Sequence, residues 1–150
     1  MKNLAFLISF IFLINTWNFA QDSLASVETM TEPTTALTVQ LEGLKSDEGD
    51  LMIALYDSSA NWLSKSIMGK ISDIVDGKAT VVFEEVPYGI YAISSFHDED
   101  SNGKLNSGVF GIPTEPYASS RGAKGRFGPP KWEDAKFELN SDTAAEVIKF

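Results

Sequence analysis

The chain has 150 residues, with 21 acidic and 12 basic side chains, a net charge of −9 and no cysteine. The lack of cysteine excludes disulfides, thiol catalysis, cysteine metal sites and lipid attachment at a cysteine. The acidic balance argues against nucleic acid as a partner, because phosphate binding needs clustered lysine and arginine, and it suits an exported protein or one that holds cations.

The N-terminal segment has the pattern of an exported protein. In residues 1–20, Lys2 precedes an apolar run and Ala20 precedes polar residues, which predicts a secretory signal peptide. The run is about half of the roughly 20 residues needed to cross a bilayer, so no membrane span is expected. Residues 21–35 are rich in Ser, Thr, Glu and Pro and predict a flexible tether. We therefore expect a secreted or periplasmic protein.

Alternating polar and apolar residues begin after the tether and predict strands. The segment ALTVQLEGL places three apolar side chains on one face, and it predicts an early hairpin with DLMIALYD. The segments ATVVFEEV and GIYAISSFHD predict a second hairpin around Pro87 and Gly89. AKFELN and AEVIKF predict a last hairpin around SDT.

These short strands, without alternating helices, predict an all-β fold over residues 36–150. An antiparallel β-sandwich of about seven strands is expected, and a closed barrel is the alternative, because both bury one face of every strand. Residues 58–65 predict one short helical turn, with Trp62 and Leu63 covering an end of the core.

The stretch FHDEDSNGKLNSG resembles the first half of a calcium loop. With Asp98 as its first position, Gly103 falls at the sharp turn where the chain folds around the ion. Oxygen ligands are then expected from the side chains, and from the Lys104 carbonyl, of the following residues: Asp98, Asp100, Asn102, Lys104 and Asn106.

The calcium pattern is incomplete, because Val109 stands where a bidentate glutamate is required. Carboxylates from elsewhere, such as Asp57 or Glu115, or waters would have to complete the six to eight oxygens of the site. The alternative is a polar turn without an ion, since Asn-Gly is a strong turn signal.

A second feature is the loop SSRGAKGRFGPPKWEDAKF, which contains both arginines of the chain. Arg121 and Arg126, with Phe127 and Trp132, offer a surface for an anionic or sugar ligand. A carbohydrate-binding module built on Trp132, Tyr117 and Phe127 is one possible function. In the other interpretation, the arginines pair with the acidic loop of the same protein and Trp132 packs as a lid.

His97 is the only histidine. A histidine can act as a general base or a metal ligand because its pKa lies near neutrality. A small hydrolase using His97 with Asp98 or Arg126 is therefore an alternative function, and a hydrogen-bonded structural role is the competing interpretation.

Three blocks, which begin with LTVQLEGL, VPYGIYAI and FGIPTEPY, resemble the bacterial family named domain of unknown function 2141, over about residues 37–150. The most specific parts of the resemblance are FHDEDSNGKL, FGIP and RFGPP. The resemblance implies secreted proteins with a transthyretin-like or immunoglobulin-like β-sandwich. It also implies that the acidic loop and the RFGPP loop form one surface, and that Asn106 stands where similar members often carry Asp. It implies no reaction.

The leading functional hypothesis is an exported, non-enzymatic β-sandwich module. Its acidic loop is expected to bind calcium weakly, and its loop face is expected to bind a partner at the cell envelope.

The first testable prediction concerns export. Because the apolar run is short and ends at a small residue, we expect the mature chain to begin at or near Gln21. Intact-mass analysis of protein recovered from the native envelope or medium measures this directly. A preparation in which most molecules retain residues 1–20 would contradict it.

Overall fold

A computed structural model describes residues 32–141 and 144–150. The predicted signal peptide, and the predicted tether up to residue 31, lie outside the described residues. The first strand begins inside the range predicted for the tether. The described elements are β1 Thr34–Glu42, β2 Asp50–Tyr56, β3 Met68–Ser72, β4 Lys78–Pro87, β5 Gly89–Asp98, β6 Tyr117–Ser119, α1 Trp132–Ala135, β7 Phe137–Leu139 and β8 Ala144–Lys149, with 3₁₀ turns at Val109–Gly111 and Ser120–Gly122.

These strands form two sheets around a shared core, which confirms the predicted all-β sandwich. The first sheet has the order β4-β1-β8, and the second has the order β3-β2-β5-β6, with β7 also paired to β5. Apolar side chains from both sheets form one buried cluster. The three residues expected on one face of the first strand are all within it, at 1% exposure or less: Leu37, Val39 and Leu41. No helix in the described part is long and apolar enough to span a membrane.

The three predicted hairpins are wrong, because the two strands of each pair have different partners. β1 pairs with β4 and, in parallel, with β8, whereas β2 pairs with β3 and β5. β4 and β5 lie in different sheets, and β7 pairs with β5. Alternation predicts which face of a strand is buried but not which strand lies beside it. A short connection can also cross between two sheets, which pack about 10 Å apart.

The position of β5 determines where the acidic residues lie. β5 is an inner strand of the second sheet, between β2 and β6. Its last residue, Asp98, is paired with Asp50 at the start of β2. The chain then leaves the sheet and returns as β6, with Tyr117 opposite Phe96. The segment between Asp98 and Tyr117 is therefore held at both ends by a buried sheet.

Gly49 makes a close backbone contact with the end of β5. Its φ is +82°, and a Cβ at this position would lie 2.2 Å from the carbonyl oxygen of Asp98. This approach brings the carbonyl oxygen of Glu48 to 2.6 Å from Nε2 of His97. Only glycine fits here without displacing the strand end.

We expect Gly49→Ala to destabilise the fold more than Gly103→Ala. Both glycines have positive φ, so both substitutions carry the left-handed penalty of about 1–2 kcal/mol. Only at Gly49 would an added Cβ meet the backbone of another segment, whereas a Cβ at Gly103 would have nothing within 4 Å. The clash is expected to add about 1–3 kcal/mol. Chemical denaturation of the two variants measures the difference, and equal free energies of unfolding would contradict the proposed close contact.

Candidate functional site

Asp98 organises the acidic loop, defined here as residues 98–106. The residue is 1% exposed. Its Oδ1 accepts the N–H of Asn102 at 3.1 Å, and its Oδ2 accepts the N–H of Gly103 at 2.6 Å. Gly103 has a φ of +77°, a conformation that glycine adopts readily. The chain therefore turns back over the carboxylate that begins the loop.

Glu115 closes the acidic loop from the other side. The residue is 6% exposed and lies just before β6. Its Oε1 accepts the N–H of Glu99 at 3.1 Å, and its Oε2 accepts the N–H of Asn106 at 2.8 Å. One carboxylate outside the loop thus bonds to the backbone near both ends of the loop.

Three carboxylates converge at this point. Oxygen atoms of Asp98, Asp100 and Glu115 lie within 4.8 Å of one another. Asp100 is exposed, and it accepts the side-chain N–H of Asn106 at 2.9 Å and the N–H of Asn102 at 3.3 Å. The hydrogen bond from Asn106 is the main cause that lowers the pKa of Asp100. The charged form thus stabilises the loop above the ordinary aspartate pKa, and this contribution is lost as pH falls through the lowered pKa.

The other predicted ligands brace the loop internally. Asn102 donates its side-chain N–H to Oδ1 of Asn106 at 2.9 Å, and its own Oδ1 accepts the N–H of Lys104 at 2.8 Å. Asp57, the second acid considered for the site, does not join it. Because the first residue of β2 is paired with Asp98, Asp57, which follows the last residue of β2, lies at the far end of the sheet.

His97 lies beneath the acidic loop with no exposed surface. Its Nε2 is 2.6 Å from the Glu48 carbonyl oxygen, and its Nδ1 lies 4.0 Å from Oε1 of Glu99. Nδ1 has no hydrogen-bond partner among the described residues. The ring therefore connects two segments inside the protein, and it is not part of the exposed ligand surface expected from the sequence.

The predicted pairing of the arginines with the acidic loop is wrong. Neither Arg121 nor Arg126 forms an ion pair within residues 32–141 and 144–150. Arg121 follows β6, where its backbone N–H donates to Oε1 of Glu146 at 3.1 Å. Arg126 lies on an exposed turn beside Phe127. The three clustered carboxylates consequently have no basic partner in the described part of the chain.

The segment between β6 and β7, which contains RFGPP, is fixed to the sheet by Ser120. The buried hydroxyl of Ser120 accepts the N–H of Ile93 at 2.9 Å and donates to the carbonyl oxygen of Ala135 at 2.6 Å. Further along, Trp62 donates its Nε1–H to the carbonyl oxygen of Pro130 at 2.8 Å. These bonds set the position of the loop independently of the acidic loop, which explains why opposite charges in the two loops do not meet.

Trp132 packs into the protein, as the lid interpretation predicted. Its ring lies edge-on to Trp62 with centroids 5.9 Å apart, and Trp62 in turn lies edge-on to Tyr56 at 5.0 Å. Both tryptophans cover a small buried cluster formed by Ala92, Ala123 and Ala135. Trp132 is therefore not available as a freely exposed sugar platform.

An open groove of about 590 Å³ lies beside the acidic loop, over the face of the second sheet that is turned away from the core. We call it the aromatic groove, after four of its lining residues: Phe96, Phe110, Tyr117 and Phe127. It is bordered by Leu105 and Ser107 on one side and by the RFGPP motif on the other. The two loops thus share a surface, as the family resemblance implied. His97, Arg121 and Trp132 do not line it.

Sequence reasoning missed the roles of Phe96 and Phe110. Phe110 belongs to the VFGIP stretch, where an aromatic residue between glycine-containing turns was the available signal.

The two hydrogen bonds that Glu115 accepts from the loop backbone can be tested with Glu115→Ala. We expect faster hydrogen exchange at the amides of Glu99 and Asn106, because both lose their acceptor, and smaller changes at the amides that bond to Asp98. The unfolding free energy is expected to fall by about 1–3 kcal/mol, the cost of leaving such donors unsatisfied. Glu84→Ala, at an exposed position on β4, is the matched control.

Equal exchange rates in Glu115→Ala and in the unmodified protein would contradict the role of Glu115. Equal loss of stability in Glu84→Ala would do the same.

Comparison with known proteins identifies the family. No curated protein and no solved structure matches the chain. One family model matches residues 39–147, and its description is an uncharacterized protein conserved in bacteria, DUF2141. This match covers most of the chain, and it includes the acidic loop, Glu115 and the RFGPP motif. The chain therefore belongs to the DUF2141 family.

Proposed function

We propose that this protein is an exported, non-enzymatic binding module whose acidic loop binds calcium weakly. The observation that carries the proposal is the convergence of Asp98, Asp100 and Glu115, whose oxygens lie within 4.8 Å of one another. Calcium prefers carboxylate, carbonyl and water oxygens, in six- to eight-fold coordination. Glu115 offers the additional carboxylate that the calcium pattern lacks at Val109.

Electrostatics supports a cation at this point. Like-charged carboxylates in close contact repel one another unless a cation or a hydrogen-bond network compensates them. Here Asp98 and Glu115 are almost fully buried, and the described residues offer only N–H groups as compensation. The asparagine amides of the loop would add neutral oxygens. Because Val109 replaces the bidentate glutamate of the loop and Asn106 offers an amide in place of a carboxylate, we expect a dissociation constant of about 10⁻⁴ to 10⁻³ M, as in extracellular modules.

The proposed location at the cell envelope is supported by the sequence. Residues 1–20 have the pattern of a signal peptide, and the net charge becomes −10 when they are removed, since they contain Lys2 and no acid. A weak site fits this location, because extracellular calcium modules have dissociation constants in the same range. In this proposal the loop end of the sandwich, with its two fixed loops, binds the partner.

Two alternatives are less well supported. A hydrolase based on His97 requires the imidazole to reach a substrate, whereas His97 is fully buried and Nε2 contacts the Glu48 carbonyl oxygen. A carbohydrate-binding module based on three aromatic residues loses Trp132, which packs against Trp62. Of those three residues, only Tyr117 and Phe127 line the aromatic groove.

Thermal and chemical unfolding with calcium tests the proposal. Calcium at a hundred times its dissociation constant is expected to stabilise the fold by about 2.7 kcal/mol relative to chelator. Asp100→Asn is expected to remove this increment, because it replaces an exposed charged ligand with a neutral amide. Asp57→Asn is the matched control, since it makes the same change at an exposed acid at the far end of the sheet.

Sodium chloride at equal ionic strength separates calcium binding from general screening. The calcium proposal fails if millimolar calcium leaves the unfolding free energy unchanged. It also fails if Asp100→Asn and Asp57→Asn respond to calcium equally.

A further inference from the structure

Two large apolar side chains of the aromatic groove are almost fully exposed. Phe110 is 95% exposed and Phe127 is 99% exposed, and they come from the two different loops that border the groove. Phe96 on β5 and Tyr117 on β6 also line it. Contiguous exposed apolar surface on a soluble domain marks a binding site more often than a scattered single residue does.

The backbone supports this interpretation. Phe110 has a φ of +66°, and Leu63, at another edge of the groove, has a φ of +57°. Residues other than glycine rarely have a positive φ, and those that do concentrate at functional sites. Gly125 and Gly128 allow the segment that contains Phe127 to turn tightly, because a Cβ on Gly125 would lie 1.6 Å from the Gly128 carbonyl oxygen. Phe110 therefore has a locally unfavourable backbone conformation, and Phe127 lies in a tight turn between Gly125 and Gly128.

The charge of the groove differs from that of the rest of the protein. Among its described lining residues, Arg126 is the only one with a charged side chain. The chain as a whole has a net charge of −9. The other polar lining side chains are hydroxyls, from Ser94, Ser95, Ser107, and the phenol of Tyr117. A single planar cation above an apolar floor is complementary to a ligand with an apolar body and one carboxylate.

We propose that the aromatic groove binds a small amphipathic carboxylate, with its apolar body between Phe110 and Phe127 and its carboxylate on the guanidinium of Arg126. The groove volume of about 590 Å³ lies within the range of small-molecule sites. This inference goes beyond the calcium proposal, and it does not depend on it, because none of the three clustered carboxylates lines the groove.

The lining argues against a sugar chain as the occupant. A sugar carries a hydroxyl group on most of its carbons, and each buried hydroxyl needs a hydrogen-bond partner. The lining offers few polar side chains, and the Ser95 hydroxyl is already bonded to the carbonyl oxygen of Ala118. An aliphatic or aromatic body satisfies such a surface without unpaired polar groups.

Three probes that each contain eight carbons test the proposal by titration calorimetry of the purified protein: octanoate, octan-1-ol and octylammonium. We expect octanoate to bind about fivefold more tightly than octan-1-ol, the gain typical of a partly exposed charge pair. Octylammonium is expected to bind most weakly. Arg126→Gln should abolish the preference for octanoate, and Phe127→Ser should weaken octanoate and octan-1-ol alike, by about fivefold or more.

Arg121→Gln is the matched control, because Arg121 is exposed and lies outside the groove lining. It should leave all three affinities unchanged. All three positions are exposed, so the variants are expected to fold, and circular dichroism and melting verify this.

The proposal is overturned if octanoate binds no more tightly than octan-1-ol, or not at all. It is also overturned if Arg121→Gln lowers octanoate affinity as much as Arg126→Gln does. Sedimentation provides a separate test, because a dimer that Phe127→Ser dissociates would show that a second copy of the chain covers the groove. Each titration is repeated with calcium and with chelator, so that a failure of ligand binding in the groove is distinguished from a failure of calcium binding.

Discussion

The carboxylate of Asp98 is buried, and no basic side chain of the described residues pairs with it. Burying an unpaired charge is costly, so the carboxylate has to be satisfied by hydrogen bonds. The N–H groups of Asn102 and Gly103 provide them, and the chain can deliver those groups only by turning back at Gly103. The buried carboxylate of Glu115 likewise accepts hydrogen bonds from the N–H groups of Glu99 and Asn106. The loop therefore folds around two buried carboxylates, and this conformation places Asp100 beside them.

The rigid sheet beneath the loop makes this arrangement possible. The contact of His97 with the Glu48 carbonyl oxygen and the close approach of Gly49 fix the end of β5, from which the loop departs. One side of the aromatic groove is then lined by Leu105, Ser107 and residues 110–113. The connection between β5 and β6 thus contains both the acidic loop and one side of the groove. Loops on a fixed scaffold commonly carry function in this way.

The sequence was most informative where a local pattern determined the outcome. Alternation predicted the sandwich and its buried face, and calcium-loop spacing predicted that Asp98 and Asp100 would be neighbours. Strand partners were not predictable, because the turn signals do not distinguish a hairpin from a crossover between sheets. Opposite charges suggested that Arg126 meets the acidic loop, but Ser120 fixes the loop that carries Arg126 elsewhere. The sequence left Asp57 and Glu115 as alternatives for the additional carboxylate. The pairing of β6 with β5 brings Glu115, which lies just before β6, to the acidic loop.

The most direct test of the three-carboxylate site is a calcium titration followed by amide NMR. The signals of the N–H groups that donate to the clustered carboxylates should shift together, with one saturation curve at about 10⁻⁴ to 10⁻³ M: Glu99, Asn102, Gly103 and Asn106. Amides at the far end of the sheet, beside Asp57, should stay unchanged. Unshifted loop amides at millimolar calcium, or shifts spread evenly over the exposed acids, would contradict the site.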